Sequence, residues 1–415
     1  MLEQARRDLL SADGQALLPH QRRATGLVPV DVVDAAAIND RYAVAWAVLD
    51  DARRFVVPLT CDGGVWRRSE PGDRISVEAL NAPAPFVVLR YAPIPDLNAG
   101  IEFALSVDMS NELLVVDNAM AAKWQFLEVP SASAGLSMAA HLLSVGFTDT
   151  PAPLASVHWN ERLIMSATQF LPDAADGWQW MVDDLLTYVT KQGVAPRWPT
   201  AVGDLIGRFH NACATPSAVF PVPVSMASNL GPMVDHYREL LGQVSSLDEQ
   251  MGLALEPWAS RFADAVDVLG RARDVTVLPI HGDLHAGQLL RWSGGIAMSD
   301  FDGNPLLPVE HRADPGPAAF DLATLLRSID HVAHVVARRA REAGDEAAAD
   351  RSLEWSADAR DELRSAYVGV VDRPLVDLEL VAAFESLSPL HEAVYAATYL
   401  PRWRYVPLGV LARGW

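Results

Sequence analysis

The chain concentrates its chemistry in one stretch, His281-Gly282-Asp283-Leu284-His285-Ala286-Gly287-Gln288, followed by Asp300-Phe301-Asp302-Gly303-Asn304-Pro305. Asp283 is a carboxylate on a loop, Gln288 brings a neutral amide oxygen, and Asp300 and Asp302 add two further carboxylates. Phosphoryl transfer asks for such a set. One group accepts the proton of the attacking hydroxyl, and side-chain oxygens hold magnesium on the nucleotide phosphates. Asp283 suits the first task. Gln288 and Asp300 suit the second, because magnesium prefers hard oxygen ligands and keeps several waters; Asp302 is a further candidate ligand.

Local elements must bring these groups together. Val275 to Ile280 is rich in β-branched residues and predicts a strand feeding the loop at His281. Leu289 to Trp292 and Ile296 to Ser299 predict a hairpin around Ser293-Gly294-Gly295, whose second arm delivers Asp300 and Asp302. If the chain stays extended there, both carboxylates project to the same side. A metallophosphoesterase is the rival reading, since Gly282-Asp283-Leu284-His285 also fits a Gly-Asp-x-His metal motif. That chemistry needs an upstream Asp-x-His and a downstream Gly-Asn-His. No Asp-x-His precedes residue 281, and Gly303-Asn304 runs into Pro305. The hydrolase reading fails on its partners.

The pattern His-Gly-Asp-x-His-x-x-Gln followed by Asp-Phe-Asp-Gly-x-Pro resembles the bacterial maltokinases and the glucosamine kinases close to them. These belong to the aminoglycoside-phosphotransferase group of protein-kinase-like folds. The resemblance implies Asp283 as catalytic base, Gln288 and Asp300 as metal ligands, and His281 with Asp283 at the sugar. Gln288 stands where most of the group carries Asn. The same resemblance implies that Lys123 meets the α- and β-phosphates of ATP, although an edge-strand lysine with a solvated tip is the plainer alternative. It places Ser110-Asn111 in a phosphate-covering loop without glycine, and the backbone near Gln169, Phe170 and Leu171 against the adenine. One departure stands out. Residues 131 to 147, where the helix after Lys123 is predicted, contain no acid to orient that lysine.

The C-terminal stretch His391-Glu392, Tyr395, Arg402-Trp403 and Pro407 also resembles these kinases. Glu392 and Tyr395 share a helical face. A carboxylate beside aromatics such as Tyr395 and Trp403 makes a sugar-binding wall, the acid taking hydroxyls or an ammonium; a salt bridge with a packed tryptophan is the alternative. Asp302-Gly303-Asn304 and Asp330-His331 stand closer to the glucosamine kinases than to the maltokinases. The expected activity is ATP- and magnesium-dependent phosphorylation of glucosamine to glucosamine 6-phosphate. Maltokinase is the runner-up, then another aminoglycoside-type phosphotransferase, then a catalytically dead nucleotide-binding module.

The rest of the chain sets bounds. Its 415 residues can hold two or three cores. A formal net charge of −20 argues against nucleic-acid or anionic-membrane partners. Cys61 and Cys213 lie far apart without ligand spacing. No apolar leader or membrane-length run is present, so a cytoplasmic protein is expected, as a monomer or weak homodimer. The expected fold is α+β, a two-lobed kinase-like architecture with a β-rich N-terminal cap. Its expected divisions are a cap over 1–95, a nucleotide lobe and hinge over 96–175, and a helical lobe with the catalytic loop and sugar site over 176–415. Within it, Arg41 to Leu49 reads as a half-buried strand, Ile75 to Leu80 as a strand, and Leu163 to Leu171 as an edge strand. Trp178 and Trp180 read as packing and His210 as a buried structural residue, and the family resemblance implies Asp321 as the acid bracing the catalytic loop. Arg312 and Arg327 read as scaffolding, and 341–358 as a charged, solvated connection.

Overall fold

The structure is a computed structural model that describes all residues except 12–13, 20–26, 106–110, 131–132, 192, 245–246, 248, 305–306, 308–310, 399–403 and 414–415. Ser110, Pro305 and Trp403 therefore lie outside the described residues. The chain divides into two compact units, Met1–Leu143 with Thr150–Asp173, and Ser144–Asp149 with Ala174–Trp415.

The first unit is built on one sheet. After helix α1 (Leu2–Ser11) come β1 (Pro29–Ala37), β2 (Tyr42–Leu49), β3 (Arg54–Asp62) and β4 (Val65–Arg68). Helix α2 (Ile75–Ala79), β5 (Val87–Arg90), β6 (Glu102–Ala104), β7 (Glu112–Val116), β8 (Met120–Pro130), α3 (Ala134–Ser144), β9 (Pro153–Trp159) and β10 (Arg162–Gln169) follow. All ten strands join one sheet in the order β1-β2-β3-β8-β10-β9-β5, with β4 on β3 and β6-β7 on β8. Strands expected in a cap and in a nucleotide lobe thus share one hydrogen-bonded surface. The eleven-residue β8 makes the join, its first half pairing with β7 and its Leu127 meeting Phe55 of β3.

Two cores cover the two faces of this sheet. Alternation along β2 sends Tyr42, Val44 and Trp46 into one core and Ala43, Ala45, Ala47 and Leu49 into the other. The strand is consequently buried on both sides rather than half-buried as its alternation predicted. Helix α1 closes the second core with Ala5 and Leu9, and Trp46 stacks on Trp159 in the first.

Two expectations need correction here. Ile75 to Ala79 is helix α2, not a strand. Its start is fixed by Glu102, whose carboxylate accepts from the Arg74 and Ser76 backbone N–H groups at 2.9 and 3.0 Å, a negative group at a helix N-terminus. Second, β10 is an interior strand lying between β8 and β9. The sequence reading missed β9 and so left β10 at an edge.

The second unit is mostly helical. It contains β11 (Ala175–Asp176), α4 (Gly177–Lys191), α5 (Trp198–Cys213), β12 (Ser225–Ala227), α6 (Gly231–Gln243), α7 (Glu249–Leu255) and α8 (Ala259–Arg271). Then come β13 (Val275–Val277), the hairpin β14 (Leu289–Trp292) and β15 (Gly295–Met298), α9 (Ala318–Glu342), α10 (Glu346–Val370), α11 (Leu378–Thr398) and α12 (Tyr405–Arg413). Helix α9 keeps one face buried from Ala318 to Ala340. Residues 346–370, expected largely as a solvated connection up to 358, form the second long helix instead. Asp345 caps it by accepting from the Ala348 N–H, and Ala348, Ala349, Ser352, Trp355 and Ala359 make a buried stripe beneath the charges. Helices α5 and α10 cross closely because α5 offers two glycines to the crossing. A Cβ on Gly203 would stand 2.3 Å from the Leu363 carbonyl oxygen, and one on Gly207 2.8 Å from Val370 Cβ. Among the described residues no helix is long and apolar enough to cross a membrane, and both cysteines are free thiols.

Candidate active site

The loop after β13 is held from below by one buried carboxylate. Asp321, near the start of α9 and fully buried, accepts from the His281 N–H at 2.7 Å and from the Gly282 N–H at 2.9 Å. Such charge-assisted bonds fix two successive peptide planes. Behind it, His210 of α5 places Nε2 3.3 Å from Asp321 and Nδ1 2.8 Å from the Tyr367 hydroxyl of α10. A carboxylate only accepts, so Nε2 carries a proton toward Asp321. Burial and the Asp321 charge keep the Tyr367 phenol protonated. Gly282 turns the chain at φ +76°, a left-handed conformation that glycine adopts without strain.

His281 has a different part from the one expected. It was placed at the sugar, but its side chain is buried with both ring nitrogens engaged. Nδ1 accepts from the Asp283 N–H at 3.4 Å, and Nε2 donates to the Ser299 carbonyl at 3.0 Å. The imidazole therefore clamps the Asp283 loop to the end of β15. Asp283 projects from this clamp with its side chain 30% exposed. Burial, then the nearby Asp300 and Asp321 charges, push its carboxyl well above the usual range, with Arg312 opposing them. A carboxylate destabilised in its charged form is one eager for a proton.

Gln288 and Asp300 flank the hairpin. Leu289 pairs with Met298, and the Gln288 carbonyl accepts from the Ser299 N–H at 2.9 Å, so the residues before β14 and after β15 are neighbours. The chain is not extended at Asp300, which was the basis for aiming both carboxylates one way. Asp300 is left-handed, at φ +62°, and Gly303 follows at φ +76°. A non-glycine residue held there costs energy and marks a constrained position. Among the described residues no three His, Cys, Asp or Glu side chains converge as a metal cage. The donors of this segment, the Gln288 amide, Asp300 and Asp302, are hard and few. They fit a magnesium ion that takes most of its ligands from phosphates and water.

From the loop a row of side chains leads to the C-terminal helices. His285 accepts from the Gly287 N–H through Nδ1 at 3.0 Å, and its Nε2 lies 3.9 Å from Asp283 Oδ2. Burial, with His281 and His331 nearby, holds its pKa down at about 4, so the ring is neutral. Trp178 of α4 stacks on His285, with centroids 6.1 Å apart, and on His331 of α9, at 6.2 Å. His331 Nε2 meets Glu392 Oε2 at 2.9 Å, and Arg327 Nε stands 3.8 Å from Glu392 Oε1. Burial opposes the Glu392 charge, but His331 and Arg327 outweigh it and hold the carboxyl below its ordinary range. Asp330 is bound in turn by Arg327 and Arg360, and Arg360 reaches Glu385.

In the first unit, Lys123 lies on β8 between Leu113 of β7 and Ser166 of β10, so it is not an edge residue. Met120, Ala122 and Trp124 enter the core, and alternation puts Lys123 on the other face. Asn111 Oδ1 accepts from the Phe126 N–H at 2.9 Å, which ties the end of the expected phosphate loop to β8. At the end of β10 the Gln169 and Phe170 N–H groups bond to the Ala152 and Ala119 carbonyls, and Leu171 is buried.

No protein-family model matches the chain. A glucosamine kinase from Streptacidiphilus jiangxiensis is 32% identical over 426 aligned residues, which cover 96% of this chain and 94% of that protein. A glucosamine kinase from Mycolicibacterium smegmatis is 32% identical, covering 86% and 94%. The chain belongs to the glucosamine kinase family. Among solved structures, a glucosamine kinase in complex with glucosamine, ADP and inorganic phosphate matches with a TM-score of 0.76 and 30% identity over 99% of both chains. A crystal form of glucosamine kinase without named ligands matches at a TM-score of 0.79.

Membership of the glucosamine kinase family makes the missed residues informative. Trp178 was assigned to packing together with Trp180. Trp180 is packing, being 1% exposed with its Nε1 donating to Leu289 O at 3.0 Å. Trp178 is packing as well, its ring lying against His285 of the 281–288 loop and His331 of α9. Its signal was the Gly177-Trp178 pair: a Cβ at Gly177 would fall 2.1 Å from the Ala286 carbonyl oxygen, so only glycine lets α4 start against that loop. His331 was visible only as one letter in Asp330-His331, with nothing in the sequence to pair it with Glu392.

Proposed function

We propose that this protein is an ATP-dependent glucosamine kinase that moves the γ-phosphoryl group of ATP to the 6-hydroxyl of glucosamine. The observation that carries this reading is the braced loop presenting Asp283 beside the Gln288–Asp300 hairpin, in a chain of this family. Asp283 accepts the hydroxyl proton as the oxygen attacks phosphorus, and the bond from the γ-phosphorus to the bridging oxygen breaks to release ADP. Burial and the neighbouring Asp300 and Asp321 charges raise its pKa, which strengthens it as a proton acceptor. Gln288 and Asp300 would hold magnesium, with Asp302 a further ligand; the ion, when bound, neutralises the phosphate oxygens. Lys123 serves the α- and β-phosphates, and Asn111 with Ser110 covers them. The hinge at Gln169 to Leu171 meets the adenine through backbone groups. The two N–H groups already used within the sheet leave Leu171 as the favoured donor.

Glu392 is the acceptor for the sugar's ammonium in this reading, with Tyr395 and Trp403 beside it. Its carboxylate is already charged, and with His331 on Oε2 the ammonium meets Oε1. A charge-assisted hydrogen bond contributes roughly 1.5–3 kcal/mol, about ten- to hundredfold in specificity. Transfer assays on a sugar panel should therefore give catalytic efficiencies in the order glucosamine, glucose, N-acetylglucosamine, with Glu392→Gln narrowing the first gap. Maltose as the best acceptor would overturn the reading in favour of the runner-up. An unchanged glucosamine-to-glucose ratio in Glu392→Gln would move the ammonium site to another acid.

The metal assignment has its own test. Asp300→Ala should raise the magnesium concentration needed for half-maximal rate more than Gln288→Ala, because it removes a charged ligand rather than a neutral one. Magnesium titrations that superimpose on the wild-type curve would place the ion elsewhere.

A further inference from the structure

The start of α4 is referenced to the catalytic hairpin by several independent contacts. Ala175 and Asp176 pair with Arg291 and Leu290 as β11 against β14. Asp176 Oδ1 accepts from the Gln179 N–H at 3.1 Å, and Trp180 donates to Leu289 O at 3.0 Å. Gly177 abuts the Ala286 carbonyl, and a Cβ on Gly287 would come within 2.8 Å of Trp178 Nε1. The indole of Trp178 therefore has little freedom relative to the segment that carries Asp283 and Gln288.

This fixed ring stacks on His285 at 27° and on His331 at 22°. Offset stacks at these separations are favourable and directional. His331 sits at the far end of the column with its Nε2 on Glu392. Packing that needs only volume would be indifferent to ring planes. Here three flat rings lie near-parallel, and the last bears the contact to the acid. Without its stacking partner the His331 ring is free to leave the carboxylate, and Glu392 turns toward Arg327, 3.8 Å away.

We propose that Trp178 is a positioning residue for sugar choice, holding His331 against Glu392 at a set offset from Asp283. An amino sugar then reaches Glu392 with its nitrogen and Asp283 with its hydroxyl at the same time, and a sugar without the nitrogen gains nothing from the column. This rests on the glucosamine reading above. The test uses the full-length enzyme, with Trp178→Leu filling similar space without a flat ring and Trp178→Phe retaining one. Trp178→Leu should raise the KM for glucosamine by about tenfold and shrink the glucosamine-to-glucose preference by about the same factor, the scale of a weakened charge-assisted contact. The KM for ATP should stay within about twofold, and Trp178→Phe should recover most of the preference. Equal losses for both sugars, or a Leu variant that keeps the wild-type preference, would overturn the role of Trp178. If Trp178→Leu does not fold, a Phe variant with no preference overturns it equally. A wild-type enzyme that does not favour glucosamine would instead sink the reading beneath, and this proposal with it.

Discussion

Asp283→Asn should turn over about 10² to 10⁴ times more slowly than the wild type, the usual contribution of a general base, and it should also melt at a higher temperature. The two effects share one cause. Burial beside Asp300 and Asp321 raises the Asp283 pKa, so the folded state binds its proton more tightly than the unfolded chain does. The stability this gives is complete below the ordinary carboxyl pKa and is lost as pH rises through the raised value. At neutral pH the charged base therefore weighs against the fold, and an amide does not. The gain should be about 1 kcal/mol, typical of removing a strained functional group, and it should widen as pH rises. Melting curves of both proteins without nucleotide or magnesium across the acid-to-neutral range check the stability; single-turnover assays check the rate. Near-wild-type turnover would remove Asp283 from the role of base, and a variant less stable at every pH would show that its charge does not weigh against the fold.

Asp321→Ala should produce the largest loss of stability of any single substitution near the site. The side chain is fully buried and receives the His281 N–H, the Gly282 N–H and the His210 ring. Its removal leaves those donors buried without an acceptor, which costs about 3–5 kcal/mol. That is a large part of the 5–15 kcal/mol roughly available to a folded domain. Asp321→Asn keeps one acceptor oxygen and should lose less. Urea midpoints at an unchanged m-value measure the difference. A shift worth under about 1 kcal/mol would mean that the loop is held by its backbone alone.

The loop that carries Asp283 was legible from the β-branched run before it, and the bracing by Asp321 from the family resemblance of this stretch. The hairpin over 289–298 was legible from two short apolar arms around Gly294-Gly295. What was not legible depended on distant partners. Ile75-Ser76-Val77-Glu78-Ala79 alternates like a strand and is a helix because Glu102 caps it. Residues 341–358 look solvated because they open on Arg341-Glu342 and Asp345-Glu346 and carry only two large apolar side chains, Leu353 and Trp355, yet small alanines suffice to bury one stripe. The left-handed turn at Asp300 has no local signal, since glycine is the residue expected there. The column from His285 through Trp178 to His331 draws on three separate segments, and no spacing rule joins them. Ser110 and Trp403 lie outside the described residues and stay with the proposal.

The hydrogen bond between His210 and Tyr367 joins positions 157 residues apart, and that separation has a consequence for how the enzyme comes into being. A chain made from its N-terminus folds its early parts first, and contacts of long sequence separation close late. When Asp283, Gln288 and Asp300 have already emerged, α10 has not, so the glycine face of α5 lies open and His210 lacks the hydroxyl behind it. A nascent kinase would thus carry its reactive groups for some time before it can use them. A chain ended at Asp345 should accordingly protect the first unit from protease while the 281–303 segment is cut readily. Equal protection of both would show that the loop sets without waiting for the helix that backs it.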